Sequence, residues 1–179
     1  GFTGYGQGFY RHFDHRGAFI IDKNDLVFLA SEAALESELA TFAKLYPKRI
    51  GMVSEDVPLI SNLDVWINIA LIKQYHQNLP RETAEEEVMG YLRRYGLEKI
   101  ANKRNPALTD EQRFRVMLLR AVMVAEAVVV IDRPFKLLPE LQDSRFIYDS
   151  LAVIDDLYDN SHIFDYIWFK DRYRINDAS

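Results

Sequence analysis

The run Leu108-Thr109-Asp110-Glu111-Gln112-Arg113-Phe114-Arg115-Val116, continued by Leu119-Arg120-Ala121 and then by Val128-Val129-Val130-Ile131-Asp132-Arg133-Pro134, decides the fold class. Thr109 or Asp110 can cap a helix that continues to about Val124, because a short side-chain oxygen satisfies N–H groups left open in a first helical turn. Ala127 to Ile131 is then an unbroken apolar, largely β-branched run, the pattern of a strand buried on both faces. A capped helix delivering into such a strand is half of a parallel α/β unit.

The same unit recurs upstream. Leu26 to Ala30 reads as a strand, Ser31 as an N-cap, and the segment to about Leu45 as a helix with Leu35, Leu39 and Phe42 on one face. Pro47 ends it, and Lys48 to Val53 reads as a second strand. Asn62 to Gln77 and Glu82 to Tyr95 follow as helices, the latter closed by Gly96. Ser144 to Asp159 reads as a helix, with Ile147, Leu151, Ile154 and Tyr158 at helical spacing, and Ile163 to Phe169 as a closing strand. Gly1 to Gly17, rich in glycine and aromatics, reads as turns and short edge strands. The expected organisation is one α/β domain over residues 1–179, with an N-terminal lobe over 1–25 and a small helical subdomain over 57–107.

Composition narrows the chemistry. The 179 residues are 49% hydrophobic, enough for a sizeable core, and include no cysteine, which excludes disulfides, thiolate metal sites and cysteine nucleophiles. The net charge is −5 and the basic residues are scattered, so no nucleic-acid footprint is expected. No signal peptide and no membrane span are read, and a cytoplasmic location follows as the expectation. His12, His15, His76 and His162 share no ligand spacing with nearby acids, and no metal site is expected.

The opening motif resembles the signature of ATP-binding-cassette (ABC) ATPases, L-S-G-G-Q followed by R-x-R-V and an A-R-A helix, with Thr109, Asp110, Glu111 and Gln112 in the signature places. Val128 to Pro134 resembles the family's Walker B strand ending in D-E-P, with Asp132 kept and Arg133 in place of the glutamate. Arg49-Ile50-Gly51-Met52-Val53-Ser54-Glu55-Asp56 resembles the Q-loop strand, with Glu55 in the glutamine's place. Leu63-Asp64-Val65 and Asn68-Ile69-Ala70-Leu71 resemble the segment that opens the family's helical subdomain. The resemblance covers roughly residues 49 to 135. It implies a P-loop NTPase-like, three-layer sandwich with a mostly parallel sheet.

The phosphate-binding string of the family, G-x-x-G-x-G-K-[ST], is missing. In one register Ser31 to Glu38 stands where the loop should be, with Ser31, Ala34, Glu36, Ser37 and Glu38 at its positions and Ser37 replacing the lysine. A second register matches Gly1 to Gly8 to the loop and Gly17 to Leu26 to a following hairpin. Both lose the lysine. Arg133 cannot accept a proton from an attacking water, and Pro139 stands in the place of the D-loop aspartate. The switch histidine has two candidate positions: Asp155, if Asp165 to Trp168 matches the family's last strand, or His162, which also reads as a turn residue.

The resemblance therefore implies no catalytic residue, no ATP or magnesium cofactor, and an interaction module of a transport or envelope complex. Its partner would be a membrane permease or an ABC ATPase-like protein, a second copy included, placing it at the inner membrane through that partner without insertion. Leu59 and Trp66, in a segment carrying more apolar side chains than one helix face buries, are the expected partner-surface anchors. The alternative is a nucleotide-binding, weakly hydrolysing or silent ABC subunit, holding ATP and magnesium beside an active partner.

Overall fold

The computed structural model describes the backbone of residues 9–11 and the whole of residues 23–174. Most of the expected N-terminal lobe, including the Gly1 to Gly8 match, His12 and His15, lies outside the described residues.

Among the described residues five strands form one sheet in the order β1-β2-β5-β4-β3. β1 (Phe9–Arg11) is antiparallel to β2 (Asn24–Leu29). β2, β5 (Asn160–Tyr166), β4 (Val128–Asp132) and β3 (Ile50–Val53) are mutually parallel. Every residue of β4 is buried, as its apolar run dictates. β5 takes the middle of the sheet, with β4 beside it.

On one face lies α1 (Glu32–Leu45), whose Leu35 and Phe42 pack on Val27, Leu29, Val130 and Phe164. On the other face α4 (Asp110–Val122) packs on β3 and β4, α2 (Val65–Gln77) and α3 (Arg81–Arg94) pack on α4, and α5 (Arg145–Val153) joins the same apolar cluster. Trp66, Ile69, Val88 and Leu92 share one apolar cluster with Phe114, Leu118, Ile131 and Ile163, so the 57–107 segment is buried through the same core as the sheet. The segment also closes on itself, with the Val65 N–H donating to Lys103 O and the Trp66 N–H to Ala101 O. The result is three layers, helix on sheet on helices.

Several boundaries differ from the sequence reading, among them the starts of β2, at Asn24 rather than Leu26, and of α2, at Val65 rather than Asn62. Ser144 to Asp159 is not one helix: the backbone leaves helical geometry at Ile154 (φ −120°, ψ 22°), and Asp155–Leu157 is a separate 3-10 turn. The last strand starts at Asn160 rather than Ile163 and ends at Tyr166, after which Ile167–Tyr173 winds as a 3-10 segment. Its polar start is buried because Ser161 Oγ donates to Asn24 Oδ1 on the neighbouring strand (2.7 Å) and the His162 ring lies 3.3 Å from the Asp25 carboxylate. His162 is therefore a strand residue, set edge-on against Phe42, and not a turn residue. At the other end of the sheet order, Lys48 has φ 62° and belongs to a turn, so β3 begins at Ile50.

Leu59 and Trp66 do not form a surface. Both are 3% exposed, enclosed in the main cluster, and Arg81 lies over the Trp66 ring. The exposed apolar side chains nearby are instead Val57, Ile60, Leu71 and Tyr75. Among the described residues no helix is long and apolar enough to cross a membrane.

Candidate functional site

In an open parallel sheet, ligands bind beyond the carboxyl ends of the strands, where helix N-termini also point. Here that edge is formed by the exits of β2, β3, β4 and β5 and by the starts of α1 and α4.

At the exit of β4 the Asp132 carboxylate is completely engaged. Arg133 Nε donates to its Oδ1 at 2.7 Å, and Arg133 Nη2 donates to Oδ2 at 3.1 Å. Ser54 Oγ, at the exit of β3, donates to the same Oδ2 at 2.8 Å. Arg133 also donates from Nη1 to the Tyr166 hydroxyl at the end of β5 (3.1 Å), and its Nη2 lies 3.6 Å from the exposed Asp56 carboxylate. The guanidinium reaches this position because Arg133 adopts a left-handed backbone conformation (φ 44°, ψ 64°), with its N–H donating to Phe164 O. Only 5% of Arg133 is exposed. Its forked bonds to Asp132 hold its proton more tightly than usual despite burial.

At the exit of β2 there is no loop. Two residues, Ala30 and Ser31, separate Leu29 at the end of β2 from Glu32 at the start of α1. Ser31 Oγ accepts the Ala34 N–H at 3.1 Å, and Ser31 O accepts the Leu35 N–H. Ala34, Glu36, Ser37 and Glu38 are accordingly residues of the first two turns of α1, not of a loop: a good N-cap followed by Glu-Ala-Ala-Leu-Glu favours helix at once. Ser37 uses its carbonyl to accept the Thr41 hydroxyl.

At the start of α4, Thr109 and Gln112 form a reciprocal capping box. Asp110 and Glu111 are exposed in the first turn, and Asp110 pairs with Arg113 at 2.9 Å. Arg113 in turn donates to Asn105 Oδ1 (2.6 Å) and to Leu108 O (2.9 Å), fixing the approach to the helix. Thr109, Asp110 and Glu111 line a shallow depression with Leu138, Glu140 and Leu141, next to exposed Pro139 and apart from the Asp132 cluster. Glu55 is exposed beside Asp56.

Of the sequence-predicted positions, the fold brings Asp132 and Arg133 together directly, with Ser54, Asp56 and Tyr166 as partners the sequence reading did not single out. Ser54 and Asp56 stood in the quoted run, on either side of Glu55, without being given a role. Tyr166 was hidden by the misplaced end of β5, which the sequence reading carried on to Phe169. Asp155 is in the 3-10 turn that precedes β5, at the opposite end of that strand from Tyr166, so the match that put it in the switch position does not hold.

One more buried acid stands at the end of β5. Asp165 accepts the Tyr173 hydroxyl at 2.6 Å and the Tyr166 N–H at 2.8 Å, and burial pushes its pKa up to about 6. Among the described residues no three His, Cys, Asp or Glu side chains are grouped closely enough to hold a metal ion.

No protein-family model matches the chain. Among curated proteins it is 28% identical over 127 residues to the ABC transporter ATP-binding protein YxdL of Bacillus subtilis, covering 71% of this chain and 46% of that protein. It is 30% identical over 129 residues to the sulfate/thiosulfate import ATP-binding protein CysA of Gloeobacter violaceus, covering 72% of this chain and 36% of the relative. The chain thus spans less than half the length of these relatives. Among solved structures it superposes on the ATP-binding cassette MJ0796, in a dimeric post-hydrolysis state bound to ADP and Pi, with a TM-score of 0.54 and 21% identity over 76% of this chain and 59% of that one. A second dimeric structure of MJ0796 gives a TM-score of 0.53 at 20% identity, over 77% and 61% of the two chains. At these identities the structural likeness establishes the fold, an α/β ABC ATPase-like sandwich.

Proposed function

We propose that this domain, built on the fold of an ATP-binding cassette and similar in sequence to ABC transporter ATP-binding proteins, serves as an interaction module that does not hydrolyse ATP. The observation that carries this reading is the two-residue link between β2 and α1, closed by Ser31 capping its own helix. A polyphosphate is cradled by backbone N–H groups of a loop wrapped around it at a helix start. Here the chain turns straight into the helix, the cap is internal, and Glu32 and Glu36 are exposed where a cation would be needed.

The residues present do not fit a magnesium nucleotide. The carboxylate that would meet the metal, Asp132, is engaged at both oxygens by Arg133 and Ser54. The residue that would orient water, Arg133, is a cation and accepts no proton. At the start of α4, Asp110 and Glu111 bring negative charge where the family presents N–H groups to phosphate.

With chemistry set aside, the domain acts by docking. Segment 57–107, read as the helical subdomain, offers exposed Val57, Ile60, Leu71 and Tyr75. Ile60 is tied by its N–H and C=O to the buried Asn68 side chain of α2, and Leu71 and Tyr75 follow Asn68 on that helix at i+3 and i+7. A membrane permease subunit, met from the cytoplasmic side, is the proposed occupant. The solved neighbours are dimeric structures, and a second copy or an ABC ATPase-like subunit is the other candidate.

A nucleotide-binding, weakly hydrolysing subunit is the second reading, favoured by the ATP-binding names of the relatives. Thermal unfolding with magnesium and ATP separates the two. A ligand at about a hundredfold its Kd adds about 2.7 kcal/mol, so a clear rise in Tm would replace the first reading with the second. Turnover above an Asp132→Ala control would overturn the first reading and favour the weakly hydrolysing form of the second.

A further inference from the structure

The cluster around Arg133 does something the fold comparison does not assign. Ser54 ends β3, Asp132 ends β4 and Tyr166 ends β5, and each contacts the one guanidinium or the carboxylate it holds. Three adjacent strand ends thus meet at one ion pair, its arginine side chain 6% exposed and its carboxylate 3% exposed, with Ser54 joined through the carboxylate. We propose that Arg133 is a resident cation that fastens the carboxyl ends of β3, β4 and β5 to one another, doing with the chain's own charge what an external cation or ligand would otherwise do at that edge. The proposal stands whether or not the chain meets a nucleotide.

Three features support it. The pair is forked, with two N–H groups meeting two carboxylate oxygens, an arrangement lysine cannot reproduce. The second carboxylate nearby, Asp56, belongs to the segment after β3 and lies 3.6 Å from the same Nη2, extending the tether to the surface. The backbone accepts a left-handed residue to place the group, a conformation that a non-glycine side chain adopts at a cost and that persists where surroundings enforce it.

Breaking a buried pair from one side leaves an unpaired charge, whereas removing both sides does not. Thermal unfolding of Arg133→Ala, Arg133→Lys, Arg133→Met and the double variant Asp132→Asn/Arg133→Met reads this directly. Arg133→Ala and Arg133→Met are expected to lower Tm by about 10 °C, with Arg133→Lys recovering less than half of that loss. The double variant is expected to melt above Arg133→Met alone. Low millimolar methylguanidinium should raise the Tm of Arg133→Ala, while equal sodium chloride should not, and the parent should respond to neither. If Arg133→Ala does not fold, folding of the double variant supports the tether and its failure overturns it. The proposal also falls if Arg133→Ala melts within about 2 °C of the parent, if the double variant is no better than Arg133→Met, or if methylguanidinium acts no differently from salt.

Discussion

Gly51 of β3 and Ala121 of α4 approach so closely that a side-chain carbon on Gly51 would lie 2.1 Å from the Ala121 carbonyl oxygen. Both sides of that contact are backbone, so no rotamer change relieves it. Gly51→Ala must push α4 off the sheet, at a cost of about 3 kcal/mol. The expected result is a lower urea midpoint at an unchanged m-value; a midpoint equal to the parent's would mean that the helix and strand are further apart.

Asp165 should make stability fall as pH rises from acid. Its folded pKa is raised to about 6, against about 3.9 in an unfolded chain. Between those values the folded state keeps a proton that the unfolded state has lost. The contribution of this group is therefore complete below about pH 4 and is lost as pH rises through about 6. Asp165→Asn has no such loss, so between about pH 4 and pH 7 it should gain about 2 kcal/mol relative to the parent. Denaturant titrations of both proteins at the two pH values check this, and a constant offset between them would place the Asp165 pKa in the ordinary range.

Trp66 and Tyr75, nine residues apart on α2, should respond in opposite ways. Trp66 is in the core, and Trp66→Ala is expected to cost about 4 kcal/mol. Tyr75 is 84% exposed, and Tyr75→Asp, like Ile60→Asp, should leave the melting temperature nearly unchanged while weakening capture of a permease partner. Retention of the partner by both charge variants would remove the docking patch from the proposed function.

Thr109 should be worth more than its exposed position suggests. Thr109→Ala removes the Oγ that accepts the Gln112 N–H and one half of the capping box. A loss of about 1 kcal/mol is expected. Thr109→Asn, which keeps a capping oxygen, should recover most of it.

How legible this was in the sequence depended on how each segment earns its burial. The stretch from Thr109 to Asp132 could be read residue by residue, because the cap is chemical, the helix amphipathic and the strand apolar throughout. β5 could not: Asn160, Ser161 and His162 look like turn residues, and their polar groups are met only in the fold, Ser161 by Asn24 and His162 by Asp25 on β2, with Asn160 beside the other nitrogen of the His162 ring. α5 was read too long because Ile154 and Tyr158 keep helical spacing, although each is buried beyond the helix end. At the candidate site, Asp132 and Arg133 were visible as neighbours in the chain. That they bond to each other, and draw in Ser54 and Tyr166, rests on strand order and on one left-handed residue, neither of which has a local sequence signal.

The junction of β2 and α1 has a consequence for the history and engineering of the chain. Two residues span at most about 7 Å, so what separates this edge from a phosphate-wrapping one is contour length and not only residue identity. Codon exchanges can put a lysine at position 37 or a glutamate at position 133, yet none lengthens the link. On the proposed reading, in which this link stands at the family's phosphate-loop position, restoring hydrolysis takes an insertion and not a substitution. A substitution library over Ser31 to Glu38, however large, would sample the sequences of one helix.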